Sequence, residues 1–209
     1  MEIIVDHVSK TIKKICVLNN VSLRMSGGRI YGLQGANGSG KTMLLRLISG
    51  LIRPTSGKIY IDGYQLGENM DFPDSMGLLI ENPAFLSGYT GFENLKLLAN
   101  IQMKIGENDI RDALCKVGLD PNDSRKYRKF SLGMKQRLGI AAAIMENPSL
   151  ILLDEPFNAL DEEGIEQIKQ IIVMYRDKGA LIVLACHDTN MLENISDKIY
   201  HISNGIIQA

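Results

Sequence analysis

The chain of 209 residues contains no tryptophan and few other aromatics, so a row of stacking rings that grips single-stranded nucleic acid is not expected. Its three cysteines, Cys16, Cys115 and Cys186, lie far apart and never in C-x-x-C spacing, which indicates neither a disulfide framework nor a zinc site. Long hydrophobic runs are also lacking. The longest, such as residues 180–186, hold about seven residues where a membrane-spanning helix needs about 20. No charge sign dominates. With 23 Lys+Arg against 24 Asp+Glu the net charge is -1, so no global field draws the chain to nucleic acid, which is not an expected partner. Residues 1–6 have no basic segment and no apolar stretch, so they do not read as a secretory signal, and a cytosolic chain is expected. Neither internal repeats nor low-complexity linkers occur.

What is present is globular composition: 45% hydrophobic and 22% charged residues. This length suits a single domain over 1–209, or a domain with a subdomain. Short β-like runs at 3–8, 21–25 and 30–33 are followed by a glycine-rich stretch. Residues 42–52 are apolar all round and predict a buried helix ending near Gly50 and Pro54. A short strand follows at 58–62. From about 83 to 147 the pattern is helical, with Phe92, Leu95, Leu98, Ala99 and Met103, then Ile110, Leu114 and Val117, at helix-face spacing. This predicts an inserted helical subdomain. The apolar run 150–153 has the character of a strand buried on both faces of a parallel sheet. A helix bearing Ile165, Ile168, Ile172 and Tyr175, stopped by Gly179, leads to a second apolar strand at 181–185. A short helix opens near Asp188, and Asn204-Gly205 marks a terminal hairpin. Strands alternating with helices give the fold class α/β with a parallel core.

Gly35-Ala36-Asn37-Gly38-Ser39-Gly40-Lys41-Thr42 matches G-x-x-x-x-G-K-[ST] directly after a strand and at the start of a helix. Glycines let successive N–H groups and the positive helix end converge on a polyphosphate. Lys41 is expected to reach the β/γ-phosphates and Thr42 to ligate Mg²⁺. About 110 residues later the apolar strand ends in Asp154-Glu155. There Asp154 is expected to hold Mg²⁺ and Glu155 to deprotonate the attacking water. A third element, Phe130-Ser131-Leu132-Gly133-Met134-Lys135-Gln136-Arg137, offers Ser131 as a helix N-cap.

The order of these elements, with Asn158-Ala159-Leu160-Asp161 and His187, resembles the ATP-binding subunit of an ABC transporter. Residues 77–85 and 131–137 resemble in particular the bacitracin and lantibiotic export and immunity branch. The resemblance spans nearly the whole chain. It implies a P-loop NTPase (RecA-like) parallel-sheet core, an N-terminal antiparallel β portion and an inserted α-helical subdomain carrying the signature. Ser131 to Met134 then corresponds to the signature, Asp161 to the D-loop, and His187 to the switch histidine. Also implied are ATP and Mg²⁺, a head-to-tail homodimer or heterodimer of ATPase subunits, and a separate transmembrane permease. Ser131 and Gly133 would meet the phosphate bound by the other subunit. The chain would lie in the cytoplasm, held peripherally at the inner face of the membrane through the permease. Four positions depart from the family: Leu132 and Met134 in the signature, Ile12 where an aromatic usually stacks on adenine, and Glu81 where a Gln usually contacts Mg²⁺. The expected activity is hydrolysis of ATP to power export of a peptide antibiotic or other drug-like substrate. The competing readings are an ABC ATPase acting on DNA or ribosomes, and a regulatory nucleotide-binding module that has lost hydrolysis.

Overall fold

The computed structural model describes residues 1–81 and 83–208; Asn82, within the stretch that resembles the export branch, lies outside the described residues. In chain order the elements are β1 (Glu2–Ile12), β2 (Ile15–Ser26), β3 (Arg29–Gln34), α1 (Lys41–Ile48), β4 (Ser56–Ile61), β5 (Tyr64–Gln65) and β6 (Met76–Leu79). There follow α2 (Gly91–Gln102), α3 (Glu107–Lys116), α4 (Leu132–Ile144), β7 (Leu150–Asp154), α5 (Glu162–Asp177), β8 (Leu181–Cys186), α6 (Thr189–Glu193), β9 (Lys198–Ser203) and β10 (Ile206–Gln208).

Ile3, Val5 and Val8 turn one face of β1 inward. This strand pairs antiparallel with β2 and β4, and β5 completes a four-stranded sheet. The second sheet has six strands in the order β10-β9-β3-β8-β7-β6, with all neighbours parallel except β10 on β9. Every residue of β7 and β8 is buried, because alternate side chains serve two different cores. Leu150, Leu152, Leu181 and Val183 pack with α1 and the antiparallel sheet, whereas Ile151, Leu153, Ile182 and Leu184 pack against α2 to α5. This double burial explains why the two strands read as continuous apolar runs. It also holds their C-terminal ends, where the candidate residues Asp154, Glu155 and His187 sit, on a rigid support.

Three differences from the sequence reading have local causes. Helix α1 stops at Ile48, short of the apolar run to residue 52, because Gly50 takes φ 82 and breaks the ladder. Helix α4 stops at Ile144 rather than near Asn147, which itself adopts φ 50. Strand β6 was not expected, since four residues carry too little periodicity, yet it pairs in register with β7 from Met76↔Leu150 to Leu79↔Leu153. Gly77 makes it possible: a Cβ there would meet Ala143 O at 1.8 Å, so α4 packs directly on the strand backbone. The terminal hairpin turns at Asn204 and Gly205, both at positive φ (49 and 75), as a two-residue primed turn requires.

Between β6 and β7 the three helices α2, α3 and α4 pack Leu95, Ile110, Leu114, Phe130 and Leu138 together. Helix α2 opens with a capping box in which Thr90 and Glu93 satisfy each other's backbone N–H groups.

Candidate nucleotide site

The glycine-rich loop lies between β3 and α1. Gly38 and Gly40 adopt φ 79 and 111, which side chains with a Cβ rarely tolerate, and a Cβ on Gly40 would sit 2.7 Å from Leu18 Cδ2. Gly40 caps α1 without a side-chain bond, so the first N–H groups of the helix remain free for an anion. Lys41 is buried at 5% exposure, and its Nζ donates to Gly35 O at 2.6 Å and Ala36 O at 3.2 Å. A buried ammonium held by two carbonyls is a positive centre awaiting a negative partner. Ser39 Oγ is buried with no hydrogen-bond partner among the described residues, a second polar group aimed at something else.

Opposite the loop, β7 delivers its terminal acids. Thr42 Oγ1 donates to Asp154 Oδ2 at 2.6 Å. Burial pushes the Asp154 carboxyl above its ordinary pKa, opposed by the Thr42 hydroxyl, with neighbouring Glu155 adding to the rise. Glu155 sits at φ 48, a left-handed conformation that costs a non-glycine residue about 1–3 kcal/mol. Its N–H donates to Ala185 O at 2.8 Å, and its carbonyl accepts from Gln136 Nε2 at 3.0 Å. These bonds enforce the turn and aim the carboxylate out of the strand line. That carboxylate accepts from His187 Nδ1 at 2.9 and 3.0 Å and lies 4.0 Å from Lys41 Nζ. Since an ionised carboxylate only accepts, the shared proton belongs to Nδ1.

A cavity of about 630 Å³ joins these groups, lined by the loop from Asn37 to Thr42 together with Glu81, Asp154 and Glu155. It has the volume of a small-molecule ligand site. Gly35 and Ala36 stand behind it, supplying the carbonyls that hold Lys41. Ile12 is not part of the lining; it lies at the end of β1, 40% exposed, and Val17 is the apolar residue of the hairpin that faces the cavity.

The ABC transporter family model matches residues 18–158, from β2 through Asn158. The chain belongs to the ABC transporter ATP-binding family. Among its relatives is the bacitracin transport ATP-binding protein BcrA of Enterococcus faecalis, 38% identical over 93% of this chain, which spans 64% of that protein. Another is the lantibiotic transport ATP-binding protein SrtF of Streptococcus pyogenes, 35% identical over 97% of this chain and 87% of its own length. The dimeric post-hydrolysis structure of the ATP-binding cassette MJ0796, bound to ADP and Pi, superposes with TM-score 0.89 at 26% identity, covering 99% of this chain and 97% of the other. The fold is therefore that of an ABC ATPase, a family whose members bind and hydrolyse ATP.

In this ABC ATPase the donor set Thr42 Oγ1 and Asp154 Oδ2 fits Mg²⁺, which takes hard oxygen ligands through one or two carboxylates and keeps several waters. Glu81 lines the cavity at φ 57, but its Oε1 accepts from Arg46 Nη2 at 2.7 Å, so its charge is balanced by a cation on α1 rather than standing alone. Its backbone N–H supports the Asp154 carboxylate. Ser131, Gly133 and Asp161 lie away from the cavity. Ser131 caps α4 by accepting from Met134 N at 3.2 Å, and Gly133 packs so closely that a Cβ would meet Ala159 O at 2.7 Å. Leu132, next to them, is 73% exposed.

Of the basic run around this helix start, Arg125 pairs with Asp123, Lys126 with Glu93 and Arg137 with Asp161, so local pairing absorbs much of its charge. Sequence reasoning assigned no role to Gln136, which lines the cavity and bonds to the carbonyls of Glu155 and Pro156. Lys135 and Arg137 flank it in the polar part of α4, so nothing in the local sequence singles it out. Arg46 was missed as well, a second cation on α1 after Lys41 with no motif to mark it.

Proposed function

We propose that this ABC ATPase hydrolyses ATP to power a separate membrane permease that exports a peptide antibiotic or similar drug-like molecule. The observation behind the hydrolytic part is Glu155, which lines the cavity of the glycine loop beside buried Lys41 and is bonded to His187. Binding alone requires neither a strained carboxylate nor a histidine bonded to it. In this reading the loop N–H groups and Lys41 cradle the β/γ-phosphates, and Thr42 and Asp154 hold Mg²⁺, which neutralises charge developing on the phosphate oxygens. Glu155 accepts the proton of the attacking water. His187 holds that carboxylate through Nδ1 and leaves Nε2 free to face the γ-phosphate region. Glu81 adds a water-mediated oxygen to the metal when it parts from Arg46.

Ser131 and Gly133 serve a second copy of an ATPase subunit, identical or paralogous. An N-capped helix start that lies outside its own cavity is an anion site with no ligand of its own. Asp161, the N-cap of α5, occupies the same flank, where Arg137 ties it to α4. The subdomain over 83–147 carries that helix as one unit within a single domain.

Permease docking falls to α2. Leu95 is fully buried and Phe85 packs edge-on to Tyr127, so these two belong to the core rather than to the docking face. Leu97, Leu98 and Ile101 on the outer side of α2 are 42, 38 and 75% exposed, with Leu86 and Tyr89 also open. Such exposed apolar side chains suit an amphipathic permease helix on the cytoplasmic side. The similarity to BcrA and SrtF supports antibiotic export as the cargo class. The test is Ile101→Asp in the reconstituted transporter. ATP-driven transport should be lost while the isolated chain still releases phosphate at the parent rate; undiminished transport refutes the docking face.

A further inference from the structure

Glu155 has a neighbour that ATP hydrolysis does not use. Cys186 ends β8, buried at 3% exposure, with its Sγ accepting the Asp188 N–H at 3.4 Å. One ligand atom each from Glu155, Cys186 and His187 lies within 4.8 Å of the others, although Glu155 and His187 are 32 positions apart and no sequence spacing announces the cluster. Three different donors, a carboxylate oxygen, a thiol sulfur and an imidazole nitrogen, converge here, and Glu155 among them lines the cavity.

We propose that Glu155, Cys186 and His187 form a second cation site, selective for a soft or borderline divalent ion such as Zn²⁺, whose occupation stops hydrolysis. Zn²⁺ binds sulfur at about 2.3 Å and nitrogen or oxygen at about 2.0–2.2 Å, so tetrahedral ligands stand roughly 3.3–3.8 Å apart. All three donor atoms already lie within 4.8 Å of one another, so small side-chain shifts reach that range. The His187–Glu155 hydrogen bond of 2.9 Å must open by less than an ångström, and His187, 55% exposed, has room to do so. The fourth position takes water. The thiol loses its proton to solvent as the metal–sulfur bond forms; burial otherwise keeps that proton in place, pushing the thiol pKa up to about 11. Imidazole coordinates through Nδ1 as the neutral ring, its proton moving from Nδ1 to Nε2. The two cation sites sort ions by chemistry. Hard Mg²⁺ goes to the oxygens of Thr42 and Asp154, and an ion that favours sulfur and nitrogen goes to the other cluster.

Cation binding does not depend on the ATPase reading, whereas inhibition rests on Glu155 being the base. A bound ion occupies the lone pair that takes the water's proton and removes the His187 support. Hydrolysis then fails while the phosphate loop is untouched, so the chain is held in its ATP-bound form.

The test is titration of the nucleotide-free full chain with Co²⁺, read as thiolate-to-cobalt absorption. A band saturating at one ion per chain and displaced by Zn²⁺ is expected. It should vanish in Cys186→Ser and in Cys186→Ala, and persist in a Cys16→Ser, Cys115→Ser double variant. His187→Ala alters an exposed side chain and keeps the fold, and should raise the Zn²⁺ Kd at least about tenfold, since loss even of groups behind the ligands costs about 10–100-fold. Absence of the band, or a band that survives Cys186→Ser, overturns the site. In a second arm phosphate release in excess Mg-ATP is measured against Zn²⁺, each protein relative to its own zinc-free rate. Cys186→Ser should need at least about tenfold more Zn²⁺ for half-inhibition. Equal sensitivity overturns the inhibitory role. A parent chain that shows the band but hydrolyses no ATP overturns the ATPase reading and leaves the cation site standing.

Discussion

Glu81→Gln removes one negative charge from the cavity wall and at the same time releases Arg46. The pair spans 2.7 Å, with Arg46 34% and Glu81 63% exposed. At such exposure the pair itself contributes about 0.2–1 kcal/mol, little enough for a metal ion or a phosphate to displace. For ATP without metal the two consequences have the same sign: a repulsive carboxylate is gone, and a guanidinium is free to turn toward the triphosphate. A unit charge about one Debye length, ~8 Å, from a phosphate changes its energy by about 0.5 kcal/mol before screening. Counting both charges and the two outer phosphates gives about 2 kcal/mol before screening and about 0.7 kcal/mol after it, or about threefold in affinity. With Mg²⁺ present the carboxylate is useful as an oxygen ligand, so the gain disappears. The expected result is that the ratio of metal-free to Mg²⁺-loaded ATP Kd is about threefold smaller in Glu81→Gln than in the parent. Calorimetric titrations with chelator and with excess Mg²⁺ measure it. Arg46→Gln should shift metal-free binding in the opposite direction. Identical ratios in parent and Glu81→Gln would remove Glu81 from the metal site.

Asp154 holds its proton more tightly folded than unfolded, chiefly because it is buried. Its contribution to stability is therefore full below the ordinary carboxylate range and is lost as pH rises through the raised value. Asp154→Asn should raise the Tm of the nucleotide-free protein at neutral pH and flatten its rise toward acid, while abolishing the Mg²⁺ dependence of ATP binding; an unchanged Tm–pH profile contradicts this. Ser131→Arg deletes an N-cap at a cost of about 1 kcal/mol and puts bulk and charge at the start of α4. Monomer ATP binding should stay within about twofold, less than 1 kcal/mol, while ATP-dependent dimerisation in sedimentation is lost. Dimers of parent strength would argue against the shared site.

The parallel core was legible because burial on both faces writes itself as uninterrupted apolar sequence in β7 and β8, and the loop of residues 35–42 because its glycines have a conformational reason to be there. What escaped depends on distance in the chain. Arg46 and Glu81 meet across 35 positions, and nothing in either local sequence specifies the partner. Ile12 and Val17 flank one hairpin turn, and only the strand register decides that Val17 faces the cavity. Strand β6 has two inward side chains and a glycine, too little for a period of two. On α2, apolar residues occupy the buried and the exposed sides alike, so periodicity could not separate Leu95 from Leu97 and Leu98.

The measurement closest to the central claim is single-turnover phosphate release by Glu155→Gln. The amide keeps the shape and the bond to His187 but takes up no proton. ATP should bind with parent affinity, hydrolysis should fall by at least about 10², and an ATP-bound dimer should accumulate. Phosphate release at the parent rate would show that Glu155 is not the base and that this reading of the cavity is wrong.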